Sequence, residues 1–115
     1  DAASWLKLGN ALALLSDYAE SAQAFRAALR RSPELAPAYN GLGASLWHLG
    51  NSEGAVTALD RAAELDAHDP NPLMNLALLH EHAGNTGAAR EAWTRALERD
   101  PGSAIARRRL ARLDS

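Results

Sequence analysis

Displaced against itself by 34 residues, this chain of 115 residues aligns without a gap. Leu8, Leu42, Leu76 and Leu110 share one column, and Gly9, Gly43, Ala77 and Ala111 the next. Ser21, Ala55 and Ala89 form a third, Phe25, Leu59 and Trp93 a fourth, and Ala28, Ala62 and Ala96 a fifth. Pro33 and Pro101 share a column with Ala67 between them. A period of this size marks an array whose units cannot bury their apolar faces alone and must stack on their neighbours.

Each unit reads as two helices. Trp5, Leu8, Leu12 and Leu15 recur at three- and four-residue spacing, as do Ser21, Ala24, Phe25, Ala28 and Leu29. Composition agrees. The 26 Ala and 19 Leu are strong helix formers, whereas one Val, one Ile and three Thr are too few β-branched residues to build a sheet. Ser16-Asp17, Gly50-Asn51 and Gly84-Asn85 are the expected turns, with Gly in the left-handed conformation and Asp or Asn capping the next helix. Asp17 and Glu20 have capping-box spacing, and Ser16, standing where the other units have Gly, predicts a strained or reshaped first turn. Pro33, Pro70, Pro72 and Pro101 are expected to stop helices at the junctions. The small residues Gly9, Gly43 and Ala77 predict close helix crossings near Ala22, Val56, Arg90 and their neighbours.

Bulk properties exclude several function classes. Twelve basic against 14 acidic side chains argue against a nucleic-acid partner. No stretch reaches the roughly 20 apolar residues of a membrane span. Without Cys there is no disulfide, thiolate nucleophile or Cys-based metal site, and such a chain suits a reducing or an oxidising compartment equally. The pattern is already running at Asp1, as expected of a piece of a longer protein or a processed chain. No phosphate loop or Ser–His–acid motif occurs, so no catalysis is expected. His48 and His82 share a column with Glu81 and His80 nearby. A metal site needs three or four converging ligands, and His80 and His82 point to different helix faces, so the expectation is a solvated pair with no metal and no cofactor.

These columns resemble the tetratricopeptide repeat over residues 2–103. Trp5, Leu8-Gly9, Leu12, Ser21, Phe25, Ala28 and Pro33 carry the likeness in the first unit. Tyr39, Leu42-Gly43, Leu46, Ala55, Leu59 and Ala62 carry it in the second, and Leu73, Leu76-Ala77, Ala89, Trp93, Ala96 and Pro101 in the third. The departures are Ala67, where Pro is usual, and His80, where a large apolar residue is usual. The resemblance implies an all-α, right-handed superhelical solenoid of three repeats, 2–35, 36–69 and 70–103. Residues 104–115 are expected to form a seventh, capping helix with Arg107, Arg108, Arg109 and Arg112 on its wet faces; the rival expectation is a cut fourth repeat.

In that family the first helices line a concave face that binds peptides. The resemblance carries this role onto Lys7, Asn10, Asn40, Trp47, His48, Asn71, Met74, Asn75, Leu78, His82, Arg108, Arg109 and Arg112, with Leu6, Leu14, Ala44 and Glu81 beside them. Asn amides suit the N–H and C=O of an extended peptide, and Trp is enriched at binding hot spots. Trp47 reads equally as a groove anchor or as a packing residue. The arginines read more readily as a solvated cap than as a ligand site. Some members grip a chaperone's C-terminal carboxylate with Lys, Asn, Asn, Lys and Arg. The matching columns here hold Leu6, Asn10, Gly41, Asn71 and Asn75, which supply no cation, so no such binding is expected. The leading expectation is a protein–protein interaction module. The alternatives are a scaffold or homo-oligomer formed through exposed terminal helices, and a substrate-recruiting arm of a larger enzyme.

Overall fold

The computed structural model describes residues 1–115 and contains seven helices and no strand. They are α1 (Ala2–Leu14), α2 (Tyr18–Arg31), α3 (Ala36–His48), α4 (Ser52–Leu65), α5 (Asn71–His82), α6 (Thr86–Arg99) and α7 (Ala104–Asp114). Two compact units result: Asp1–Asp66, with α1 to α4, and Ala67–Ser115, with α5 to α7.

The turns within the three hairpins close alike. The N–H of Asn51 reaches back to the carbonyl of Leu46 and that of Gly50 to Trp47, a pair that satisfies the last carbonyls of α3. Asn85 to His80 with Gly84 to Glu81, and Asp17 to Leu12 with Ser16 to Ala13, repeat the pattern. It requires a left-handed residue, and Gly50 (φ 86°) and Gly84 (φ 81°) supply it without steric cost. Ser16 adopts the same conformation at φ 63°, so the first turn keeps its shape and carries the strain. The caps differ from the sequence expectation. The Asn51 side chain accepts from the Gly54 N–H at 2.9 Å, but Asp17 makes no side-chain cap bond, so the box with Glu20 does not form. Pro33 and Pro101 follow the ends of α2 and α6 as expected, but Pro72 acts differently. Pro37 and Pro72 sit in the first turns of α3 and α5, where no N–H is needed, and so begin helices rather than stop them.

In the first unit the core is built around Phe25, which is fully buried. A Cβ placed on Gly9 would lie 2.7 Å from its ring, and one on Gly41 would lie 2.3 Å away. The backbones of α1 and α3 therefore press on one side chain of α2. Gly43 makes the matching approach to Leu59 of α4 at 2.6 Å. The small columns thus meet the large column as well as the neighbours of Ala22 and Val56, since Ala55 O lies 3.2 Å from a Cβ on Gly43 and Ser21 bonds the Gly9 carbonyl. A buried polar relay runs beside them. Ser21 Oγ donates to the Gly9 carbonyl at 2.8 Å, and the Ser45 hydroxyl lies 3.1 Å from Ser21. Since Ser21 has spent its only proton, Ser45 donates, and α3, α2 and α1 are linked in series. Leu8, whose column is apolar throughout, remains 45% exposed.

In the second unit Trp93 fills the large slot and is fully buried. The Asp69 carboxylate caps α5 through the Asn71 N–H at 2.9 Å, and Arg99 donates to the Asp69 carbonyl at 3.0 Å. Ser103 caps α7 at the Ala106 N–H, and Arg90 of α6 holds its far end through Asp114 at 2.8 Å. His80, in the column of Leu12 and Leu46, has its Nδ1 buried without a partner.

Two stability outcomes follow from this packing. Gly41→Ala should cost about 1–3 kcal/mol by overpacking the Phe25 ring. Combined with Phe25→Leu it should cost less than the sum of the two single changes, read as a coupling energy in urea titrations. His80→Leu should raise stability by about 1 kcal/mol, because it removes a buried polar atom that has no partner.

Candidate functional site

The first unit brings five of the predicted inward residues to one cleft of about 440 Å³. Asn10 and Leu14 reach it from α1, and Asn40, Ala44 and His48 from α3. Each set steps by four residues or a multiple of four, so each lies along one helix face. Gly41 of α3 also lines it. Phe25 and Ser45 form its floor.

Tyr18, the first residue of α2, completes the wall. Its ring stacks on the His48 imidazole with centroids 4.1 Å apart and planes 6° from parallel. Trp47 is half-buried and lies behind this pair, 5.9 Å from His48, and does not line the cleft. Leu14 stands at the mouth, 88% exposed. Sequence reasoning missed Tyr18. Its column, Tyr18, Ser52 and Thr86, holds no other aromatic residue, and that singularity was the available signal. No Asp, Glu, Lys or Arg lines the cleft. Lys7 is exposed on α1 and takes no part in it.

The second unit carries the other predicted residues on α5 and α7. Asn71 and His82 are exposed at the two ends of α5, with Met74, Asn75 and Leu78 half-buried between them. Arg108 and Arg112 are exposed on α7. Arg109 departs from expectation, because it is not on a wet face. Its guanidinium lies 6.0 Å from the Trp93 ring centroid and pairs with Glu81 Oε1 at 3.2 Å. The other Glu81 oxygen accepts from the Trp93 indole N–H. Arg109 shares the column of Gly41, and Trp93 that of Phe25. Where the first unit lets a backbone approach the ring, the second lays a cation over it. Nowhere do three His, Asp or Glu side chains come together in a way that could hold a metal ion. No helix is long and apolar enough to cross a membrane.

Glu81 therefore serves packing in this unit. Glu81→Gln should cost less than Glu81→Leu, since the amide oxygen still accepts from the indole. The leucine variant should lose about 1–3 kcal/mol through the unpaired indole N–H, measured by chemical denaturation.

Comparison with known proteins places the fold. The chain superposes on the first tetratricopeptide domain of Spaghetti (RPAP3), a structure bound to the HSP90 peptide SRMEEVD, with TM-score 0.90 at 15% identity over 98% of this chain and 90% of that one. The first such domain of human RPAP3 gives TM-score 0.90 at 15% identity, covering 98% and 89%. A chain of the CopN-Scc3 complex gives 0.82 at 24% identity, covering 98% and 66%. No curated protein matches the sequence. A tetratricopeptide repeat family model matches residues 6–70, and a second matches residues 70–113. The chain belongs to the tetratricopeptide repeat family.

Proposed function

We propose that this chain is a protein-interaction module whose first unit holds a peptide segment of a partner protein in the cleft of Asn10, Asn40 and His48. The observation that carries this reading is the convergence of two carboxamides, from two helices, on a cleft without a charged side chain. Each carboxamide offers a donor and an acceptor, the complement of one peptide unit. Between them Ala44 and the Tyr18–His48 wall present apolar and aromatic surface to a ligand side chain. Trp47 acts through His48, whose ring it adjoins.

The absence of charge sets the ligand class. A peptide carboxylate seated here would lose hydration with no cation to replace it. The ligand is accordingly an internal, extended and uncharged segment rather than an acidic chain end. On α5, Asn75 with Met74 and Leu78 offers the same mixture of amide and apolar groups.

Selection from a random peptide library displayed on phage tests the reading. Recovered peptides should shift the His48 and Tyr18 ring resonances. Asn10→Ala and Asn40→Ala should each weaken binding about tenfold, equivalent to about 1.4 kcal/mol, with an unchanged far-ultraviolet spectrum. Binders indifferent to both substitutions, or no binders at all, would remove the cleft from consideration.

A further inference from the structure

A groove of about 800 Å³ lies between α3 and α4 of the first unit. It shares no residue with the cleft and lies on the opposite side of α3. Its floor is apolar. Tyr39, Leu42 and Leu46 line one side at positions i, i+3 and i+7 of α3, and Ala58 of α4 faces them. Its outer edge is acidic, with Glu53, Asp60 and Glu64 in one stripe of α4. Thr57 completes their three- and four-residue spacing. The single guanidinium, Arg61, is engaged with Glu64 at 3.5 Å.

Repeat packing does not require that edge, and the helix dipole favours only Glu53, in the first turn of α4. The columns of Glu53, Asp60 and Glu64 hold Ala19, Arg26 and Arg30 in the first repeat and Gly87, Thr94 and Glu98 in the third. The architecture therefore accepts neutral or cationic residues there. Glu64 lies in the last turn of α4, next to the negative end of the helix dipole, where a carboxylate is unfavourable. The corresponding groove of the first hairpin, lined by Trp5, Leu8 and Leu12, has one carboxylate, Glu20, and one guanidinium, Arg30.

We propose that this α3–α4 groove docks a basic amphipathic helix of a partner protein. From Glu53 to Glu64 the stripe extends about 16 Å at the α-helical rise, which is about three turns of a docked helix. Such a helix lays its i, i+3, i+4 and i+7 apolar side chains on Tyr39, Leu42, Leu46 and Ala58. Its Lys or Arg side chains, on the flank facing α4, meet Glu53, Asp60 and Glu64. The acidic edge steers the encounter and sets the orientation, while the floor supplies the desolvated contact.

The probe is a synthetic leucine–lysine peptide of about 14 residues with one apolar face, followed by fluorescence anisotropy. Its control is the same peptide with Glu for every Lys. The lysine peptide should bind, gain helicity on binding and weaken with salt; the glutamate peptide should not bind. Glu53→Lys combined with Asp60→Lys and Glu64→Lys should cost at least tenfold and transfer the preference to the glutamate peptide. Thr57→Trp, which fills the groove and leaves its charge intact, should also cost at least tenfold. Arg108→Ala, an exposed substitution outside both surfaces, should leave the affinity for the lysine peptide unchanged. Three results overturn the proposal. One is absence of binding. Another is binding that survives Thr57→Trp, which means charge attraction alone. The third is concentration-dependent self-association abolished by the lysine substitutions, which assigns the groove to a second copy of this chain.

Discussion

The approach of two backbones to one aromatic ring governs the first unit. Phe25 has no exposed surface because Gly9 and Gly41 bring α1 and α3 against it from neighbouring helices. Protein interiors pack at crystal-like density, so a methyl group at either glycine has no free volume to enter. The other contacts of this core presuppose that approach. The Ser45–Ser21–Gly9 relay spans three helices with bonds near 3 Å, and such bonds form only when the helices stand this close. Burying three polar groups is tolerable because each finds a partner. The cleft lies over this same contact, since Phe25 and Gly41 both line it beside Asn10 and Asn40.

The second unit solves the same problem with different chemistry. Its large residue is an indole, which carries a polar N–H into a buried slot. Glu81 accepts that N–H, and Arg109 in turn compensates the carboxylate while covering the ring face. This triad satisfies each buried polar group, as a partly buried charge requires. It also commits Arg109 to packing, leaving Arg107, Arg108 and Arg112 as exposed cations of α7.

Much of this was legible in the repeat. Columns of equal spacing gave the helices, the hairpin turns and the identity of the large buried residues, because those features recur and local periodicity encodes them. What failed was pairwise and non-local. Asp17 and Glu20 have the spacing of a capping box, yet the Asp17 side chain makes no cap bond, and Asn85, which follows a glycine in a turn of the same shape, makes none either. Arg109 looked like part of a solvated arginine run, since nothing within its own helix reveals a carboxylate 28 residues away. Column arithmetic held the missing clue: Arg109 falls in the column of Gly41, the residue that faces Phe25. Tyr18 escaped because a residue at the start of the second helix belongs to no inward column of the first.

The two surfaces of the first unit show how a repeat separates stability from recognition. Small and large columns are constrained by helix approach and tolerate few changes. The positions left over differ freely between repeats: Leu14 against His48 and His82, or Asp60 against Arg26 and Thr94. On one side of α3 these free positions make an uncharged cleft walled by a stacked tyrosine and histidine; on the other they make an apolar floor with an anionic edge. Different electrostatic characters on the two sides of α3, one uncharged and the other bordered by the carboxylates of α4, select different ligands, because a charge that stabilises docking on one side would remain unpaired on the other. The two proposed ligands, an extended neutral segment and a cationic helix, make independent demands on the two sides of α3, since neither surface uses a residue of the other.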